Sequence, residues 1–394
     1  MPPVPAQLNN LRIVFFAAET YPSFAGGGRH AFYLARYLAR GGARCTIASL
    51  NYNCTLINKE LIDGVSIHRI TYWNKSLLVK LLSLPPLFFQ AIKLVAKNKV
   101  VFVYGRYFLL YLFIIACAKL FGRKVIFRST LTGDDDLPAL LKRPLGFGNK
   151  LILRHINLYL AINPQFEKSW KSVFGNRVPV LQCPQGFDAT YFYPQLRKER
   201  MHVPNEIPLI LSNAILVERK GYRILFEALS TLPFDFRYRI IGQYLPDPHH
   251  RSAAEELEEM STLYQLGKKM LGKKVEFLNT VTDIKPHLAQ ADLFLYGAVQ
   301  DGLPNAVLEA MATGLPVLMR NCKLDPQLFK PEQTVLEFEN SVELSQQLMR
   351  LRTDRLTLER IGQNATDFLL KNYTFDSVVP RILEQFACKK NQSF

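Results

Sequence analysis

Two doubly wound α/β domains in series are predicted for this chain, on three observations. Short apolar runs rich in β-formers alternate with helical stretches, which implies βαβ units and parallel sheets. The alternation runs through residues 1–186 and starts again after residue 206. The charge divides at the same place: residues 1–186 hold 24 Lys+Arg against 7 Asp+Glu (+17), and residues 187–394 hold 25 against 26 (−1).

Residues 11–18, LRIVFFAA, read as the first strand. A glycine-rich loop, AGGGRH, follows. An amphipathic helix is expected from Arg29 to Arg40, with Ala31, Leu34, Ala35 and Leu38 at helical spacing and Gly41–Gly42 as its stop. CTIASL (45–50), VVFVYG (100–105), KVIFRST (124–130) and LYLAIN (158–163) read as further strands. The Pro-rich CPQGFDATYFYPQLRKER (183–200) marks the boundary. Beyond it come a strand (207–214), the helix KGYRILFEALSTL, a strand (236–242), the helix SAAEELEEMSTLYQLGKKML, and the strands KVEFLNT and ADLFLYG. A last helix over TDFLLKNYTFDSVVPRILEQFA is expected to return to the first domain. The domains are thus 1–186, 187–375 and a terminal helix, 376–394.

The composition, 48% hydrophobic and 21% charged, is that of a folded globular chain. The amino terminus lacks a basic segment followed by an apolar one, so no signal peptide is expected. The apolar runs at 81–92 and 107–118 fall short of the roughly 20 residues a bilayer crossing takes. Six scattered cysteines with no C-x-x-C point to reduced thiols in the cytoplasm, without a metal cluster. Basic residues between 75 and 154 are interleaved with both apolar runs. That mixture suits an anionic lipid surface better than nucleic acid, for which no RNP1 run or zinc-finger spacing occurs. The plain alternative is a solvated surface.

The segment DGLPNAVLEAMATGLPV (301–317) is apolar almost all round except at Asn305, Glu309 and Thr313, spaced by four on one helix face. A buried carboxylate needs a partner. A helix starting near Leu303 or Pro304 would leave amides at 303–306 to attract a phosphate. Glu309, one turn deeper, would accept two hydrogen bonds from vicinal ribose hydroxyls, and Asp301 would meet a sugar hydroxyl or a developing positive charge. A structural Glu paired with a core Arg is the alternative. Gly26, Gly27 and Gly28 allow close approach of backbone amides to a phosphate; a plain turn is the alternative. Lys220, in ERKG after a strand, would face a diphosphate across the interdomain cleft, unless it is simply a surface lysine. In GDDDL (133–137), Asp134 and Asp136 form a D-x-D, a spacing that can hold a metal. Two serial α/β domains, with the Asp301–Glu309 spacing, argue against that use. The acidic trio reads as a loop in the first domain, with Asp135 as a hydroxyl contact. His30 and Arg106 would face the cleft.

Asp301 and Glu309, with seven residues between them, resemble the E-x7-E motif of retaining glycosyltransferases of family GT4, which have the GT-B fold. YPSFAGGGRHAFYLARYLARGGARCTIAS is similar to that family's opening, PQGFDATYFYP to its interdomain segment, and LVERKGYRILFEAL to its phosphate-binding segment. The resemblance implies two Rossmann-like domains facing a cleft. The first would be the acceptor and membrane side, the second would bind the nucleotide-sugar. It implies metal-independent transfer from a UDP- or GDP-sugar to a glycan acceptor, lipid-linked, in cell-surface polysaccharide or glycolipid synthesis. The chain would sit peripherally on the cytoplasmic face of the membrane. Asp301, Glu309 and Lys220 would be catalytic. Gly26, Gly27, Gly28, Arg219, Leu303, Pro304, Asn305 and Asp135 would bind substrate. No metal and no cofactor beyond the donor is implied. Two family positions differ: Ile215 stands where an Arg is common, and Gly297 lies where a Ser is usual. They motivate a second reading, a catalytically silent GT-B scaffold that binds membranes.

Overall fold

The computed structural model describes residues 8–9, 11–21, 26–52, 56–72, 77–105, 110–143, 146–183, 186–197, 207–246, 254–299, 301–321 and 324–387. The chain forms two compact units. The first contains the chain up to Asp188 and again from Phe375; the second takes most of the chain between Ala189 and Thr374.

In chain order the first unit holds β1 (Arg12–Phe16), α1 (Gly26–Arg40), β2 (Arg44–Tyr52), β3 (Lys59–Ile62), β4 (Val65–Tyr72), α2 (Leu77–Lys97), β5 (Val100–Tyr104), α3 (Leu110–Leu120), β6 (Lys124–Arg128), α4 (Leu137–Lys142), α5 (Gly146–Leu153), β7 (Leu158–Ala161), α6 (Pro164–Phe174) and β8 (Val180–Gln182). Its sheet runs β3-β4-β2-β1-β5-β6-β7-β8, parallel except for β3 against β4. β5, VVFVY, is buried at every position, as a central parallel strand covered on both faces must be. The order turns round between β1 and β5. The β3–β4 hairpin was not foreseen. Its signal is Asp63-Gly64, where both residues take positive φ (50° and 80°), the backbone of a tight primed hairpin turn.

The second unit holds β9 (Leu209–Asn213), α7 (Tyr222–Ser230), β10 (Arg237–Ile241), α8 (Ala254–Leu271), β11 (Val275–Leu278), α9 (Lys285–Gln290), β12 (Leu293–Tyr296), α10 (Asn305–Ala312), β13 (Val317–Arg320), β14 (Leu336–Phe338), α11 (Ser341–Thr353) and α12 (Arg355–Asn372). Its sheet, β11-β10-β9-β12-β13-β14, is parallel throughout and turns round between β9 and β12.

The last helix differs from expectation. It is two helices, α12 and α13 (Phe375–Ala387), broken at Tyr373–Thr374. There the Phe375 amide leaves the helical ladder and donates to the Phe187 carbonyl at 3.0 Å. Phe375, Val378, Val379 and Ile382 are buried in the core of the first unit with Phe15, Leu34, Ile47 and Phe102. Arg36 joins the same region through a 2.8 Å ion pair to Asp188, both nearly fully buried. Tyr37 donates to Asp376 at 2.5 Å. Among the described residues, no helix is long and apolar enough to cross a membrane.

Candidate functional site

The switch between β9 and β12 places two loops side by side at the carboxyl ends of these strands. In open α/β sheets, ligands bind at that point. After β9 the chain passes Ile215 and makes one tight turn, Glu218–Lys220, before Gly221 enters α7. After β12 it runs from Gly297 to α10. The loops touch at their glycines. Gly221 has φ +72°, and a Cβ there would lie 1.9 Å from the Gly297 carbonyl oxygen; a Cβ on Gly297 would lie 2.9 Å from that of Gly221. Only two glycines permit this approach. The Val299 amide donates to the Arg219 carbonyl at 3.4 Å, a second tie between the loops. Gly297, a departure from the family pattern, thus has a backbone reason.

This contact brings together two residues singled out from sequence. Lys220 Nζ lies 2.6 Å from Asp301 Oδ2, with both side chains largely buried, at 13% and 11% exposure. Tyr296, the last residue of β12, donates its hydroxyl to Asp301 Oδ2 and accepts from Lys220 Nζ at 3.2 Å. The Gly302 amide donates to Asp301 Oδ1 at 2.8 Å. Burial alone would push the Asp301 carboxyl up. The Lys220 charge and the bonds from Lys220, Tyr296 and Gly302 outweigh it and hold the carboxyl below its ordinary range. Tyr296 was missed because an aromatic at the end of an apolar strand reads as core.

α10 starts at Asn305, not at Leu303 or Pro304. Pro304 is its cap, with extended backbone (φ −74°, ψ 112°), and its carbonyl accepts from Val307 and Leu308 at 3.1 and 3.2 Å. Leu303 is buried, so its side chain belongs to the packing. Asn305 is half-buried in the first turn. Glu309 lies one turn deeper and only 4% exposed. Thr313, the last member of the polar stripe, donates to the Ala310 carbonyl at 2.8 Å and closes the helix instead of meeting a ligand. Arg219 is exposed in the tight turn beside Lys220. Ile215 packs against the apolar cluster of this unit, so the position that the family often gives to a cation is apolar here.

In the first unit the glycines are not a loop. Gly26, Gly27 and Gly28 form the first turn of α1, which begins three residues before the expected start. Crowding accounts for the glycines themselves: a Cβ at Gly28 would lie 1.7 Å from the Glu19 carbonyl oxygen, and one at Gly27 3.3 Å from Thr130. The turn lies near the carboxyl end of β5, where His30 Nδ1 is 2.8 Å from the Tyr104 hydroxyl. Arg106 lies outside the described residues. Asp135, expected to contact an acceptor hydroxyl, is 0% exposed. Its Oδ1 accepts from the Thr130 and Leu131 amides, each at 2.7 Å, and its Oδ2 from the Thr130 hydroxyl at 2.8 Å. The carboxylate is committed to its own loop. Burial pushes its pKa up to about 6 against the pull of these bonds. Asp134 pairs with Arg143 at 3.0 Å, and Asp136 caps α4 through the Ala139 amide at 3.1 Å.

Residues 197–368 match the family model "Glycosyl transferases group 1". The chain is 23% identical over 196 residues to a lipopolysaccharide core biosynthesis glycosyltransferase, LpsE, of Rhizobium meliloti, covering 49% of this chain and 53% of that one. It is 30% identical over 181 residues to a putative colanic acid biosynthesis glycosyltransferase, WcaL, of Escherichia coli, covering 41% of each. The chain spans about half the length of the curated relatives it matches. Over nearly its whole length it is similar in structure to sucrose-phosphate synthase of Thermosynechococcus elongatus: TM-score 0.75, 16% identity, 98% of this chain and 100% of that one. It is equally similar to Anabaena Alr3699/HepE in complex with UDP and glucose: TM-score 0.75, 16% identity, 96% of this chain and 100% of that one. The fold is therefore GT-B.

Proposed function

Because residues 197–368 match the glycosyl transferases group 1 model, we propose that the chain is a retaining, metal-independent glycosyltransferase of GT4 type. It moves a sugar from a UDP- or GDP-sugar to a lipid-linked glycan in cell-surface polysaccharide or glycolipid synthesis. The work takes place peripherally on the cytoplasmic face of a membrane. The relatives named for lipopolysaccharide core and colanic acid biosynthesis support the product class. The neighbour solved with UDP and glucose supports the donor class.

The observation that carries this reading is the Lys220–Asp301 pair at the β9–β12 switch. Transfer builds positive charge at the sugar C1 and negative charge on the leaving diphosphate. The pair offers one group for each. The diphosphate takes the Lys220 ammonium, Asp301 turns to a hydroxyl of the donor sugar, and Tyr296 follows one or the other. The amino end of α10, at Pro304–Asn305, adds the positive end of a helix dipole for the phosphates. Glu309 holds the ribose. Arg219 and the turn at Gly26–Gly28 contribute to the donor and acceptor contacts. No nucleophile is assigned. The bonds of Asp134 and Asp136 to Arg143 and to α4 support a reaction without a D-x-D metal.

Thermal unfolding against a panel of nucleotides tests the reading. UDP or GDP at 100 times its dissociation constant should add about 2.7 kcal/mol. The gain should survive EDTA and fall for Glu309→Gln, since hydrogen bonds to charged groups contribute about 1.5–3 kcal/mol. A chain that no nucleotide stabilises is the silent scaffold, the second reading. The apolar Ile215 in place of a family cation is what favours that alternative.

A further inference from the structure

The strongest feature that the donor site leaves unused is the outward face of α2. Leu78, Leu82 and Phe89 are 68%, 67% and 57% exposed, and Pro85 and Pro86 between them are exposed as well. Steps of three and four residues put these side chains on one face. The line is about 16 Å long at 1.5 Å per residue. Exposed Lys93 and Lys97 continue it, and Lys93 Nζ sits 4.1 Å from the Phe89 ring centroid. α2 and α5 both pack on α3. The exposed face of α5 repeats the pattern, with Phe147 (82% exposed) and Leu151 beside exposed Lys150 and Arg154. No Asp or Glu occurs between Asp63 and Asp134.

We propose that α2 is a membrane-inserting helix, with Leu78, Leu82 and Phe89 in the acyl boundary of an anionic bilayer and Lys93 and Lys97 against lipid phosphates. This deepens the proposed membrane association and does not depend on the donor site. Single exposed apolar residues are ordinary, whereas an aligned row of them marks an interaction surface. The chemistry of the surface selects the partner. An acid-free stretch requires an anionic partner, and the apolar row requires one with a hydrocarbon layer. Nucleic acid lacks that layer, and a second copy of this basic face would repel it. Depth follows from the prolines. Pro85 and Pro86 supply no amide to the carbonyls of residues 81 and 82, so those carbonyls need water. An interfacial helix sits about 5–10 Å into the headgroup boundary, where water still reaches.

The test uses the full chain carrying Phe89→Trp, with vesicles of phosphatidylcholine alone or mixed with phosphatidylglycerol, and with brominated-tail lipids. On anionic vesicles, the emission gained over wild type should shift to the blue and be quenched by the bromines. Leu82→Ser with Phe89→Ser should weaken vesicle binding by at least about tenfold, because each side chain loses most of its burial. Lys93→Glu with Lys97→Glu should weaken it too, most at low salt. Binding without a blue shift, or unaffected by the serine pair, means adhesion through charge alone and overturns insertion. No binding by wild type, or equal binding to neutral vesicles, overturns the anionic surface. Nucleotide stabilisation, measured on the same variants, should stay at the wild-type level. Its absence from wild type as well would remove the donor reading and leave the lipid result standing.

Discussion

Lys220 and Asp301 hold each other in a nearly dry site, so removing one charge strands the other. In Lys220→Met the pull that keeps the Asp301 carboxyl low is gone and burial prevails, so its titration should move upward. The sign for stability follows. In wild type the depressed pKa contributes stability that is present above the ordinary carboxyl range and lost as the pH falls through the folded value. The variant lacks that gain, and breaking a buried pair costs about 3 kcal/mol. Denaturant unfolding of the two proteins between pH 3 and 7, with carboxyl titration by NMR, checks it. Equal stability with an unmoved carboxyl would mean that the pair is not formed in solution. The sequence singled out Asp301, Glu309 and Lys220 because each is a charge set in or beside an apolar run; the ion pair between Lys220 and Asp301 was not foreseen. Tyr296 was not, since its role lies in a hydroxyl and apolar strands use tyrosine for bulk. Asp135 misled for the opposite reason: a loop carboxylate looks available until its own backbone is seen to occupy it.

Elements were legible where their periodicity was strong and obscure where contact decided them. β1, β5, β6, β9 and β12 announced themselves as short apolar runs. α1 began early, at Gly26, and its Gly28 lies against the Glu19 carbonyl, a fact of tertiary packing. α10 began one residue late because Pro304 has extended backbone. The turn at Gly221 shows how far one position can govern a site. Gly221→Ala asks an L residue to take φ +72° with its Cβ against the Gly297 carbonyl. The left-handed conformation alone costs about 1–2 kcal/mol, so a total loss of at least about 2 kcal/mol is expected. That lowers the melting temperature by roughly 4–8 °C for a unit of this size. The same displacement pulls Lys220 away from Asp301, so nucleotide stabilisation should fall as well. A variant that melts and binds like wild type would show that the loops do not meet at their glycines.

At the scale of the whole molecule, two α/β units were readable from repetition and from the charge division. The break at Tyr373–Thr374 was not, because the pattern of apolar residues runs on through it. Deleting residues 375–394 should remove Phe375, Val378, Val379 and Ile382 from the first unit. At about 1.5–3 kcal/mol per buried side chain the loss is about 6–12 kcal/mol, comparable to the entire stability of a domain. The first unit should then be protease-sensitive while residues 197–368 keep a separate melting transition that responds to nucleotide. A single wild-type transition would refute this. The same arrangement also sets an order of events during synthesis. The ribosome makes the sheet of the first unit early, yet the helix that closes its core follows the whole second unit in the chain. At about 5–20 residues per second, the intervening chain takes roughly 10–40 s to emerge. The second unit can fold within that interval. The first waits, with the apolar surface that α13 covers still open, until that helix emerges.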